Sequence, residues 1–214
     1  MESVQPLVTM WTMATSSKCP SLKPAGVSPR KVKVLQLKVE LQGVRPKVWR
    51  RVLVPASIRL PKLHEVLLRA MGWGGGHLHE FEFAEGRYGE PDPDWPDESM
   101  EDESKLTLNK ALDGGSTFTW VYDFGDHWAH KIKIERVDTL PAALKLQFPM
   151  CLAGAGACPP EDVGGVPGYA DFLQAVADPA HPGHLEMTEW IGRPFDADVF
   201  DVQEAQDRLY KIRL

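Results

Sequence analysis

The 214-residue chain is short of several things, and each shortage excludes a class of protein. No run of about 18 apolar residues occurs, so no segment reads as a membrane-spanning helix. Three cysteines, Cys19, Cys151 and Cys158, are too few for a disulfide framework, which sets the expectation of a reducing, cytoplasmic environment. The N-terminus carries Glu2 and no basic region ahead of a short apolar stretch at 6–14, a poor match to a secretory signal. There is no phosphate-binding GxxxxGK[ST] loop, no GxGxxG after a strand and no GxSxG elbow. Internal repeats and an alternating βαβ series are also absent, which points to an α+β fold with a mainly antiparallel sheet.

Charge is unevenly placed. Of 24 Lys and Arg and 30 Asp and Glu, residues 23–69 hold twelve bases and only Glu40 and Glu65 as acids, leaving twelve bases and 28 acids elsewhere. Such segregation marks either a nucleic-acid or acidic-partner surface, or two faces that neutralise each other within the fold. On the first reading Lys47, Arg50, Arg51 and Arg59 are the nucleic-acid-binding residues. Residues 89–103 hold eight acids, three prolines and no base, with Trp95 as a bulky anchor; they read as an exposed acidic loop.

The most organised stretch is 117–136. Phe118, Trp120 and Tyr122 share one side of a period-2 pattern. After a turn at 123–127, Trp128, His130, Ile132 and Ile134 share one side of another, which is a β-hairpin signature. Strands are also expected at 34–41, with a phase change between Val34 and Leu35, and at 48–54 and 78–84. A helix at 60–71 has Pro61 in its first turn and Gly72 as its stop. Helices are expected near 106–112, 167–177, 184–191 and 201–210, and 149–168 reads as a long irregular segment. Residues 1–29 form an extension poor in apolar surface, and 30–214 a single α+β domain of one sheet, one central helix and a C-terminal group of helices.

His77 and His79 fall on one side of their strand with Phe81 and Phe83, and His130 lies on the apolar side of its own. These imidazoles, with His64 from the helix and Asp123 or Asp126 from the hairpin tip, are candidate ligands for a divalent transition metal. The alternative is that each histidine is a core residue satisfied by a carbonyl or carboxylate. Asp123 and Asp126 are either ligands and acid–base groups or acceptors for the turn amides. Glu161-Asp162 reads as a polar cap before the next helix or as a metal-binding loop. Cys151 and Cys158 lack zinc-knuckle spacing and read as structural thiols. Trp49, Trp73, Trp120 and Trp128 are stacking platforms or core anchors, with Trp73, on its glycine loop, the exposed binding candidate.

Several phrases occur together and in order: LQGVRPKVWRRVLVP at 41–55, Leu63-His64, MGWGGGHLHEF at 71–81, YDFGDHW at 122–128 with His130 and Glu135, CPPEDVGG at 158–165, and Gly168-Tyr169. Together they resemble the plasmid pRiA4b ORF-3-like family, found also as passenger genes of bacterial insertion elements. The resemblance covers roughly residues 31–210 and implies a small α+β domain. It brings no catalytic residues with it. Its association with mobile elements implies nucleic acid or a mobile-element protein as partner. The expectations are therefore a non-enzymatic binding or accessory domain, a metal-dependent hydrolase or nuclease using the histidines and aspartates, or a protein-interaction module presenting the acidic loop.

Overall fold

The computed structural model describes residues 31–91, 99–142 and 147–214; the 1–29 extension and Trp95 lie outside the described residues. Among the described residues eight strands form one sheet in the order β5-β4-β3-β6-β7-β1-β2-β8. They are β1 (Lys31–Leu41), β2 (Trp49–Pro55), β3 (His79–Phe83), β4 (Gly86–Gly89), β5 (Met100–Asp102), β6 (Thr117–Tyr122), β7 (Trp128–Pro141) and β8 (Met150–Ala155). All neighbours are antiparallel except β4 and β5. The helices are α1 (Leu60–Met71), α2 (Leu108–Leu112), α3 (Gly165–Ala177), α4 (His184–Ile191) and α5 (Val202–Leu209). The α+β class and the mainly antiparallel sheet are as expected.

Period-2 sequence builds the sheet's two faces. Leu35, Leu37, Val39 and Leu41 of β1 are buried, while Gln36, Lys38 and Glu40 between them are half-buried on the side facing water. That division is usual for an antiparallel sheet with helices on one face. Both Val34 and Leu35 are buried, as the phase change suggests, but the register break lies further on. Gln36 pairs with Arg136 and Leu37 with Ile134, so Glu135 is the extra residue of a bulge on β7. Part of the stretch expected to be irregular, 149–168, is instead the edge strand β8. Its backbone is closed off by Gln206 of α5, which accepts from the Cys151 amide at 2.8 Å and donates to the Pro149 carbonyl at 3.4 Å.

The core holds two residues expected at the surface, Arg50 and Trp73, together with His130. Arg50, expected on a nucleic-acid surface, is 1% exposed because β2 alternation turns it inward. Its Nε donates to Ala70 O at 3.0 Å, Nη1 to Trp49 O and Ala155 O at 2.8 and 2.9 Å, and Nη2 to Met71 O at 3.4 Å. The guanidinium stacks 4.0 Å above the Phe200 ring, and burial lowers its pKa to about 10. Trp73, expected to be exposed, is 2% exposed and donates from Nε1 to Pro159 O at 3.0 Å. His130 is fully buried against Trp120 and Trp73, ring centroids 4.6 and 5.4 Å away. Its Nδ1 lies 3.2 Å from Trp120 O, which can only accept, so that nitrogen carries the proton. Among the described residues Nε2 has no partner.

Two predictions follow from this core. Arg50→Met removes a donor set that satisfies carbonyls from α1, β2 and β8, each costing about 1–3 kcal/mol when left buried and unpaired. Urea denaturation should show a loss of about 3 kcal/mol or more; a change within about 0.5 kcal/mol would refute the role. Burial lowers the pKa of His130 to about 3 from 6.5, so at pH 5 the unfolded state binds a proton that the folded state refuses. Stability should therefore fall as pH drops below 6.5, by up to about 1.4 kcal/mol per pH unit from this residue. His130→Asn should flatten that slope, read as urea midpoints between pH 7.5 and 5.

Candidate metal centre

Three loops meet at the end of the sheet where β6 turns into β7. The first, 72–78, begins at Gly72, whose φ of 118° ends α1. Its position is held by two bonds to the third loop, Trp73 Nε1 to Pro159 O and Gly74 N to Glu161 Oε1 at 2.9 Å. The second is the hairpin tip, 123–127, where Asp123 and His127 both take left-handed backbone, φ 58° and 54°. The His127 amide closes the turn on Asp123 O. The third, 158–165, carries Asp162, also left-handed at φ 58°, and is bonded to the tip by Gly164 N donating to Asp126 Oδ2 at 3.2 Å. A β-carbon on Gly165 would sit 2.6 Å from Asp126 O, so the two loops approach as closely as backbone allows.

His77, Asp123 and Asp162 each offer one ligand atom at this junction, all within 4.8 Å of one another. His77 Nδ1 is 3.5 Å from Asp123 Oδ2, and Nε2 is 3.4 Å from Asp162 Oδ1 and 3.9 Å from Glu161 Oε2. Asp123 is an acceptor for the turn amides and also a member of the donor group. Its Oδ1 accepts from the amides of Gly125 and Asp126 at 2.9 and 3.3 Å, which fixes the carboxylate and leaves Oδ2 towards His77. Asp123 is 7% exposed overall, whereas the Asp162 side chain is 73% exposed. The group therefore has a rigid inner side and an open outer one. Tyr122 lies beneath it, edge-on to His77 at 5.7 Å, its hydroxyl 3.3–3.4 Å from the Glu161 carboxylate. Burial and then Glu161 push the Tyr122 pKa well above its ordinary value, so the phenol stays protonated and can donate.

The other expected ligands go elsewhere. The expectation that His130 joins His77 or His79 fails, because His77 precedes the strand. Gly75 and Gly76, at φ 92° and 124°, turn the chain, and β3 begins only at His79. His79 points into the core and pairs with Glu103, Nε2 to Oε2 2.9 Å, both side chains under 10% exposed. His64 stacks on His79 with ring centroids 3.4 Å apart, and burial, then His79, lowers its pKa to about 2. Asp126 braces the loop junction and is not in the donor group. Glu161 and Asp162 do not cap α3, whose N-cap is Gly164 with no side-chain bond. Cys151 and Cys158 are free thiols with pKa values raised by burial.

The basic set also separates. Arg59 precedes α1 and donates to Ser104 O, Lys47 lies 3.8 Å from Glu40, and Arg51 pairs with Glu135. With Arg50 in the core, these four side chains make no common surface. Glu103, on the acidic loop, had no signal as a core residue, since a charge run reads as solvated. Asp162 was visible beside Glu161 but not distinguishable from a cap.

The chain matches the family model described as "Plasmid pRiA4b ORF-3-like protein" over residues 33–204. It is 49% identical over 160 residues to the uncharacterised protein y4hQ of Sinorhizobium fredii (strain NBRC 101917 / NGR234), covering 74% of this chain and 81% of that one. Its fold is similar to the crystal structure of MM3350, a protein of unknown function from Methanosarcina mazei Go1. There the TM-score is 0.72 with 31% identity, across 81% of this chain and 97% of the other. The loops at the junction, 72–78, 123–127 and 158–165, come from separate parts of the matched region, and the chain belongs to the plasmid pRiA4b ORF-3-like family.

Proposed function

We propose that the protein binds a divalent transition-metal ion at His77, Asp123 and Asp162. The observation that carries this reading is the convergence of one imidazole and two carboxylates from three loops, donor atoms within 4.8 Å. Metal–ligand distances of about 2.0–2.2 Å place donors sharing one ion roughly 3–4 Å apart, so small rotamer changes complete the set. One nitrogen and two oxygens suit Mn²⁺, Fe²⁺ or Zn²⁺ rather than an all-oxygen Ca²⁺ site. The fixed Asp123 carboxylate supports preorganisation, and the exposed Asp162 supports an ion that keeps positions open to water.

Titration calorimetry with Mn²⁺ and Zn²⁺ at pH 7.5 should show one ion per chain, with affinity falling as the solution is acidified, because metal ligands must be deprotonated. Asp123→Asn keeps an oxygen for the turn amides and removes the charged ligand; it should weaken binding at least about tenfold. No uptake by the native chain, or equal uptake by Asp123→Asn and Asp162→Asn, sinks the reading.

A second reading, metal-assisted hydrolysis, is favoured by the placement of Glu161. The Gly74 amide and Tyr122 hydroxyl hold its carboxylate beside the donor group, where a base would take a proton from a metal-bound water. The metal-loaded protein should then cleave an activated phosphate or carboxylate ester, and Glu161→Gln should load metal yet lose turnover. Turnover unchanged in Glu161→Gln removes this reading and leaves the binding site intact.

A further inference from the structure

The face of the sheet turned away from the helices carries a pattern that the metal centre does not use. Register places Lys133, Lys38 and Arg51 directly opposite one another on β7, β1 and β2, flanked by Thr117 and Ala153. The adjacent row across the sheet reads Glu82, Thr119, Lys131, Glu40, Trp49 and Ala155. Strand spacing of about 4.8 Å sets these side chains in close ranks. Like charges directly opposite on a sheet are unfavourable, so three cations in one rank are a cost that the fold bears. Two carboxylates relieve it partly. Glu135, brought round by the bulge, pairs with Arg51 and accepts from Gln36, and Glu40 lies 2.9 Å from Lys38 and 3.8 Å from Lys47. Among the described residues, neither Lys131 nor Lys133 has a carboxylate within salt-bridge distance. Counting Glu82 as well, the face keeps a surplus of bases, Lys38, Lys47, Arg51, Lys131 and Lys133 against Glu40, Glu82 and Glu135, on a chain whose net charge is −6.

Trp49 sits within that charge. The Lys38 ammonium is 5.8 Å and the Arg51 guanidinium 5.3 Å from its ring centroid. Its neighbours across the strands are Glu40 and the small Ala155. An aromatic ring among bases on an open sheet face suits a ligand with both negative charge and flat rings. A duplex offers its phosphates but hides its base faces; an anionic membrane offers charge without rings. Unpaired bases offer both.

We propose that this face binds a single-stranded polynucleotide. The phosphates lie along the Lys133–Lys38–Arg51 rank, with Lys131 and Lys47 beside it, and a base stacks on Trp49. Arg50 and Arg59 take no part, which redraws the basic set read from the sequence while leaving the metal reading untouched.

The test uses fluorescence anisotropy with labelled 12-mers, oligo-dT and oligo-U, on the full chain. Binding should fall steeply as salt rises from 20 to 200 mM, with a log–log slope of roughly −2 to −3 for three or four phosphates released from counterions at about 0.7 each. Trp49→Ala should weaken binding about tenfold or more, and Lys131→Glu with Lys133→Glu, both at exposed positions, should abolish it at 100 mM salt. Charge reversal at Lys105, on the 3-10 turn after β5, should change nothing. A 12-base-pair duplex should bind more weakly than the single strand and be indifferent to Trp49. Three results overturn the proposal: no binding at 20 mM salt, Trp49→Ala binding as tightly as the native chain, or phosphatidylserine vesicles competing the oligonucleotides off at equal charge. Circular dichroism of each variant separates lost binding from lost fold.

Discussion

The buried guanidinium of Arg50 is the constraint from which the rest of the arrangement is set. A helix leaves its last carbonyls without partners and carries partial negative charge at that end. Arg50 reaches from the start of β2 to the Ala70 and Met71 carbonyls at the end of α1, and to Ala155 on the edge strand β8. Arg208 of α5 adds a bond to Arg69 O. Two cations from two elements thus hold one helix terminus against the sheet. The position of α1's end then decides where Gly72 turns, where Trp73 inserts and where the glycine loop delivers His77.

The same economy of satisfied backbone runs through the candidate centre. Each of the three loops is bonded to another by a backbone group: Trp73 to Pro159, Gly74 to Glu161, Gly164 to Asp126. The side chains that remain for a ligand are those not spent on this bracing. Asp126 is consumed by it, Asp123 is half consumed, and His77 and Asp162 are left facing each other. Three residues in this corner and its supports, Asp123, His127 and Asp162, hold left-handed backbone, a conformation that persists where surrounding structure over-determines it.

The two faces of the sheet divide the protein's chemistry. On the inner face the polar groups are locked in pairs or buried neutral: His79 with Glu103, His64 against His79, His130 among the tryptophans. Burial keeps His64 and His130 neutral. On the outer face Lys131 and Lys133, and at the rim Asp162, remain in water. Neither surface needs the other for its geometry, although the β6–β7 hairpin contributes to both, Asp123 at its tip and Lys131 and Lys133 on β7.

Local sequence alone determined β1, β2, β3, α1 and the β6–β7 hairpin, because period-2 and helical patterns, Pro61 and Gly72 act within a few residues of themselves; the short β4 and β5, the latter inside the stretch read as an acidic loop, had no such pattern. It also determined that Asp123 would be held by turn amides. It could not place His77. The strand pattern runs back through His77 as smoothly as through His79, and only the two left-handed glycines, in a loop that the 158–165 segment holds at Trp73 and Gly74, take His77 out of the sheet. Nor could it separate Arg50 from Arg51. Alternation says that one faces inward, but a guanidinium is acceptable in a core only if distant carbonyls await it, and those come from α1 and β8. The edge strand β8 was hidden for the same reason. Its glycine and two alanines have little strand propensity of their own, and it exists because β2 and Gln206 supply partners. What depended on neighbours in the chain was legible; what depended on partners 20 to 105 residues away was decided by the fold.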